Sequence, residues 1–208
     1  MVISKVRIDD YPAGVRPILP DHNLKFDIVL QEFEKRSIYY VLGIVPNLIN
    51  NEDLSYLKTL KYMVPGLHGW DHNYYNWTGS NTTEDISISE MKEGLKRLKA
   101  LDKPVEHYIP PFNHFEDNTI DNLISCGIKY IHTGSDWNIT RDDVTFITPK
   151  RYFYGRCYDI LPFINILTED DWICLHLTWQ YDAILEKKSV LPYLLDLILE
   201  KTNDLSLR

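Results

Sequence analysis

Apolar positions along the chain recur in two alternating rhythms. Val2 to Ile8 is a short apolar run that stops at two aspartates, the pattern of a buried strand. From Asp21 to Arg36 the spacing changes, and Phe26, Val29, Leu30 and Phe33 fall on one side of a helix. Ile38 to Val45 is β-branched and aromatic and ends at Pro46, which predicts a second strand. Leu54, Leu57 and Leu60 predict a helix over Asn51–Lys61, and Met63–Leu67 a strand running into His68. Ser87 and Glu90 stand at capping-box spacing and open a helix to about Leu101, with Met91, Leu95 and Leu98 inward. His107–Ile109 reads as a strand cut off by Pro110-Pro111. Glu116–Cys126 reads as a helix that Gly127 stops. Ile128–His132, Val144–Thr148 and Trp172–Leu177 complete the predicted strands, and Ser189–Lys201 closes the chain as a helix.

Strand then helix, repeated along the chain, predicts an α/β fold with a parallel sheet. An open doubly wound sheet and a closed barrel share that order. No GxGxxG or P-loop follows any strand, which weakens the dinucleotide-binding option. No repeat, low-complexity run or linker interrupts the pattern, and 208 residues suit a single domain spanning 1–208.

Composition narrows the function classes. Lys and Arg total 22 against 30 Asp and Glu, a net charge of −8 that argues against nucleic acid as a partner held on a broad basic face. The cysteines, Cys126, Cys157 and Cys174, are odd in number and lack CxxC spacing, so no disulfide framework is expected. No run of about 18 apolar residues exists, so no membrane insertion is expected. The opening MVISKVRIDDYP has no apolar signal core, so the expected location is cytoplasmic. The Asn-x-Thr matches at Asn76, Asn81 and Asn138 then read as chance. Tyr, Trp and Phe number 14, 5 and 7, with Trp70, Tyr74, Tyr75, Trp77, Trp137 and Trp179 in loop-like stretches. Such residues serve core packing or form platforms for sugar rings, and composition alone favours packing.

The polar residues with chemical potential gather at predicted strand ends, where parallel α/β folds place their sites. Asp9 and Asp10 end the first strand. Read alone, they fit an Asx turn before Tyr11-Pro12 better than a site. His68 and His72, four apart, can share a metal ion or simply bond within a loop; the residues between them lack the Glu of a helical zinc protease. His176 lies in an apolar stretch and, alone, reads as a core histidine. Asp136-Trp137 alone reads as exposed loop. An Asp with two His would make a facial set with open positions for water and substrate.

Taken in order, these segments resemble the polysaccharide deacetylases, the NodB-homology family of metal-dependent carbohydrate esterases. The matching segments are Arg7-Ile8-Asp9-Asp10-Tyr11-Pro12, His68 to His72, Ile109-Pro110-Pro111-Phe112, Asp136-Trp137 and Leu175-His176. The resemblance implies an irregular, incomplete (β/α) barrel of about seven parallel strands, and 208 residues are indeed few for a closed one of about 250. It implies that Asp10, His68 and His72 bind a divalent metal, with Asp9 the general base and His176 the general acid. The Phe112 amide would help hold the oxyanion, with Pro111, Trp70, Asp136 and Trp137 beside the substrate. Zinc suits that ligand set, and cobalt, nickel or iron would also fit. The implied reaction removes an N- or O-linked acetyl group from a sugar or polysaccharide precursor. The alternatives are a same-fold amidase or deformylase acting on a small molecule, and a glycan-binding module without turnover.

Three positions depart from the family pattern. Tyr11 follows the Asp pair where Gly is usual, and Gly69 follows the first His where Ser or Thr is usual. Ile109 stands where the family carries an Arg that orients the base. Arg7 lies two residues before Asp9, so on a strand both project to one side. A cation there would hold Asp9 ionised by charge, in place of the missing Arg. The competing arrangement has Arg7 facing outward or paired with another acid.

Overall fold

The computed structural model describes residues 6–12, 23–72, 86–113, 115, 117–134, 138–168, 170–176 and 190–206. Its strands are β1 (Val6–Tyr11), β2 (Tyr40–Ile44), β3 (Met63–Leu67), β4 (His107–Tyr108), β5 (Tyr130–His132), β6 (Thr145–Ile147), β7 (Arg151–Tyr154) and β8 (Asp171–His176). The helices are α1 (Asn23–Lys35), α2 (Asn51–Thr59), α3 (Ile88–Leu98), α4 (Asp117–Ser125), α5 (Cys157–Ile160) and α6 (Leu191–Ser206). The strands hydrogen-bond in the order β6-β5-β4-β3-β2-β1-β8-β7. Among the described residues the order runs from one edge strand to another without closing, so the architecture is an α/β incomplete barrel. Among the described residues no helix is long and apolar enough to cross a membrane.

The chain divides into two compact units. One comprises Met1–Leu42, Leu60–Val64 and Lys150–Arg208; the other comprises Gly43–Thr59 and Pro65–Pro149.

In the first unit β1 pairs in parallel with β8, Arg7 opposite Cys174 and Asp9 opposite His176. Val6, Arg7, Ile8 and Asp9 are all buried, as expected of a strand covered on both faces. Helix α1 buries Val29, Leu30 and Phe33, and α6 buries Leu191, Leu194, Leu195 and Ile198 at helical spacing. Strand β7 and helix α5 have no counterpart among the elements predicted from sequence. Arg-Tyr-Phe-Tyr lacks the apolar signature of a strand. Its place is set by β8 instead, where Arg151 sits opposite Asp171 and grips that carboxylate with two bonds of 3.0 and 2.7 Å. The first strand continues past the predicted Ile8 to Tyr11, so Asp9 and Asp10 lie inside it rather than in a turn beyond its end. Its predicted beginning, Val2 to Lys5, lies outside the described residues.

In the second unit the end of β3 (residues 65–67), β4, β5 and β6 pair in parallel, with Gly66 opposite His107, His107 opposite Tyr130 and Ile131 opposite Phe146. The predicted capping box opens α3: Ser87 Oγ accepts from the Glu90 amide at 3.2 Å, and the Ser87 amide donates to Glu90 Oε2 at 2.8 Å. Met91 and Leu98 are buried, but Gly94 takes the central position predicted for Leu95. A Cβ at Gly94 would lie 3.0 Å from Pro46 Cγ and 3.1 Å from Leu67 Cδ1, so the helix approaches too closely for a larger residue there. Helix α4 ends at Gly127 with φ +91°, and the Ile128 amide donates to Leu123 O, a left-handed stop of the Schellman type.

Candidate functional site

Within the first unit, Asp9 is gripped from its own strand. Arg7 Nη2 donates to Asp9 Oδ2 at 2.8 Å, and both side chains are buried, at 1% and 5% exposure. The i, i+2 spacing on β1 puts them on one side, as the sequence suggested. Burial by itself would lower the Arg7 pKa. The Asp9 carboxylate, with Cys174 and Tyr152, more than offsets this and raises it, so the guanidinium stays charged. Cys174, opposite Arg7 on β8, places its Sγ 3.3 Å from Asp9 Oδ2. Burial pushes that thiol well above its usual range, so it remains an S–H donor to the carboxylate. Arg7 Nη1 donates to the Tyr152 hydroxyl at 3.3 Å, and the guanidinium lies 5.2 Å from the centre of the Tyr152 ring. Tyr152 is in turn pushed up to about 12, by burial first.

Asp10 solves a geometric difficulty. Adjacent strand residues normally face opposite ways. Asp10 has φ +69°, in the left-handed region that Asp enters more readily than most residues, and this breaks the alternation. Its Oδ2 lies 3.8 Å from His176 Nε2, while Asp9 sits opposite His176 in the β1–β8 register. His176 ends β8 with 23% side-chain exposure, so it is not the enclosed core histidine that its apolar context suggested.

In the second unit, His68 directly follows β3. The His68 Nδ1 lies 2.8 Å from the carbonyl oxygen of Ile109. A carbonyl can only accept, so Nδ1 carries the hydrogen, and in the neutral ring Nε2 bears the lone pair. This is the bond that fixes tautomer and ring orientation in metal-ligating histidines. His72 follows with φ +52°, its ring 4.9 Å from that of His68 and 5.1 Å from that of Phe112. Phe112 and Asn113 are both left-handed, at φ +58° and +57°, in the tight turn that Pro110-Pro111 opens, and the Asn113 amide donates to Pro110 O. Such strain in non-glycine residues concentrates at functional sites. Phe112 is exposed, and Pro111 is buried.

Ile109 is fully buried and packs over Gly66, where a Cβ would lie 3.0 Å from its Cδ1. Trp70 is engaged within the unit, with the Arg97 guanidinium 5.1 Å from its ring centre. Asp136 and Trp137 lie outside the described residues, as do Tyr74, Tyr75, Trp77 and Trp179. Sequence reasoning did not single out Tyr152, Cys174 or the imidazole pair His107–His132. The i, i+2 rule that links Arg7 to Asp9 had no means of finding partners on other strands.

Among the described residues, His68 and His72 of the second unit each offer an imidazole nitrogen as a ligand atom, and Asp10 of the first unit offers a carboxylate oxygen. A carboxylate oxygen and two imidazole nitrogens suit zinc and neighbouring divalent ions. The Ile109 bond to His68 fits the same use.

No family model matches the chain, and no curated protein matches it significantly. Solved structures do. A family 4 carbohydrate esterase from Streptomyces lividans, in complex with acetate, matches with a TM-score of 0.59 at 12% identity, over 95% of this chain and 88% of that one. A family 4 acetyl xylan esterase from Clostridium thermocellum, in complex with a cobalt ion, matches with a TM-score of 0.55 at 14% identity, over 96% and 82%. The fold is that of the family 4 carbohydrate esterases and NodB-type polysaccharide deacetylases. A CE4 family pseudoenzyme from Bacillus anthracis shares this fold too, at a TM-score of 0.54 and 14% identity, over 96% of this chain and 59% of that one. The esterase fold therefore does not by itself carry turnover.

Proposed function

We propose that the protein is a metal-dependent hydrolase that removes an acetyl group, N- or O-linked, from a sugar or polysaccharide precursor. The observation that carries this reading is the His68 Nδ1 contact to the Ile109 carbonyl, the kind of bond that orients metal-ligating histidines. The esterase fold and the buried, ion-paired Asp9 support it.

In this reading Asp10, His68 and His72 hold a divalent ion, zinc or a similar metal. When bound, such an ion supplies Lewis acidity toward an acyl oxygen and lowers the pKa of water. Asp9 accepts a proton from the attacking water. His176 gives a proton to the departing amine or alcohol. The Phe112 amide, in its left-handed turn, donates to the oxyanion. Trp70 and Pro111 belong to the substrate surroundings, and Asp136 and Trp137 keep that expectation from sequence.

The test is acetate release from a panel of acetylated sugars, with and without chelator. Release should stop on chelation and return with zinc or cobalt. Asp9→Asn should lose acetate release by about 100-fold or more while keeping its metal, measured by elemental analysis. An Asp9→Asn protein that releases acetate at the normal rate would reject the base assignment.

A second reading keeps the fold and drops the chemistry: a glycan-binding module. Ile109, in place of the family's Arg, favours it. The Arg7–Asp9 bond opposes it, because it returns a cation to the base. A purified protein that holds no metal and gains nothing from added zinc or cobalt would favour the module.

A further inference from the structure

We propose that Arg7, braced by Tyr152, is the positioning residue that fixes the rotation of the Asp9 carboxylate, so that strand β1 supplies both the base and its orienter. The inference rests on the hydrolase reading above, in which Asp9 accepts the proton. Three observations carry it. Arg7 reaches Asp9 Oδ2 at 2.8 Å in a fully buried setting, and the same Nη2 lies 3.4 Å from Cys174 Sγ. Cys174 meets that same oxygen at 3.3 Å from the other strand. Two donors on one carboxylate oxygen fix the torsion about Cβ–Cγ, and with it the direction of the second oxygen. The third is Tyr152 of β7, which accepts from Nη1 and stacks on the guanidinium, so the Arg is itself held.

Stability alone does not call for this arrangement. A buried ion pair is on balance no better for folding than apolar residues of the same size. The chain nevertheless spends Arg, Tyr and Cys, from three strands, on one carboxylate. No proton leaves Arg7 in this scheme: the proton moves from water to Asp9, and the guanidinium remains charged throughout.

Two variants separate positioning from folding. Arg7→Lys keeps the charge but loses the planar fork. Tyr152→Phe loses the hydroxyl that accepts from Nη1 and keeps the ring. In the crystal structure of Arg7→Lys, the Asp9 carboxylate should be rotated from its present setting while the surrounding β1 and β8 backbone is unchanged. Its kcat for acetate release should fall by about 100-fold, with KM held within about threefold. Tyr152→Phe should lower kcat by about fivefold and leave KM alone. If Arg7→Lys does not fold, Tyr152→Phe decides. An unrotated Asp9, or a folded Arg7→Lys with wild-type kcat, would overturn the inference, as would a Tyr152→Phe protein with wild-type kcat. Loss of the hydrolase reading gives a different signature: the wild-type protein releases no acetate with any metal. The crystallographic orientation of Asp9 then still decides the positioning.

Discussion

Two buried polar clusters, one in each compact unit, meet the loss of water by opposite means. In the first unit's cluster the polarity is ionic: Arg7 pairs with Asp9, and Cys174 and Tyr152 bond to the same pair. In the second unit's cluster the central groups are imidazoles. His132 is fully buried, and its Nε2 lies 3.1 Å from Nδ1 of His107, which stacks on Tyr130. Burial, opposed by Glu106, pushes His107 down to about 4, so near neutral pH its ring is uncharged. The difference shows what each arrangement tolerates. A buried charge pair depends on both members being present, whereas a buried imidazole depends on pH.

The largest effect comes from breaking the ionic side. Arg7→Met leaves the Asp9 carboxylate buried without its cation and should cost about 3–5 kcal/mol in denaturant unfolding. The double variant Arg7→Met/Asp9→Asn should recover most of that loss. A double variant no more stable than Arg7→Met would mean that the pair is not the unit of the effect.

The neutral side answers to acid. The His107 pKa is lower in the folded state than the ordinary 6.5, so above 6.5 both folded and unfolded rings are neutral and the full stability is present. As pH falls through 6.5 toward 4, the unfolded ring takes up its proton first, and stability is lost. The loss by pH 4 should be about 3 kcal/mol more in the wild type than in His107→Gln. Parallel pH profiles for the two proteins would remove His107 from the comparison.

The smallest effect sets the baseline for both. Ser87→Ala deletes two exposed capping bonds, from the Glu90 amide to Ser87 Oγ and from Ser87 Oγ to Glu90 Oε2, and should cost about 1 kcal/mol. A cost as large as that of Arg7→Met would show that burial is not what separates the cases.

Much of this was legible from sequence because it depends on near neighbours. The capping box at Ser87, the glycine stop at Gly127 and the alternation of strand and helix are all local patterns, and each is found where predicted. So is the Arg7–Asp9 pair, which needs only the period of a strand. Read singly, Asp9-Asp10 suggested a turn and His176 a core position, and the structure differs on both. What could not be read depends on strand pairing. Tyr152 and Cys174 reach Arg7 from strands far along the chain, and His107 meets His132 across the β4–β5 register. Strand β7 was missed because cross-strand charge, Arg151 on Asp171, substitutes for the apolar signal that marks other strands. Leu95 was misplaced because helical spacing does not reveal how closely α3 approaches Pro46 and Leu67.

The left-handed backbone at Asp10 narrows the chain's freedom to vary. In the proposed reading, position 10 supplies a metal-binding carboxylate while its backbone occupies φ +69°. Asp does both, since its short side chain bonds locally and is comparatively at ease in that region. Asn keeps the backbone but loses the charge. Glu keeps the charge but lacks that ease, and its extra methylene moves the oxygens away. The two demands therefore leave the genetic code one satisfactory choice at this position, and a swap of acid for acid, conservative by chemistry, would not be conservative here.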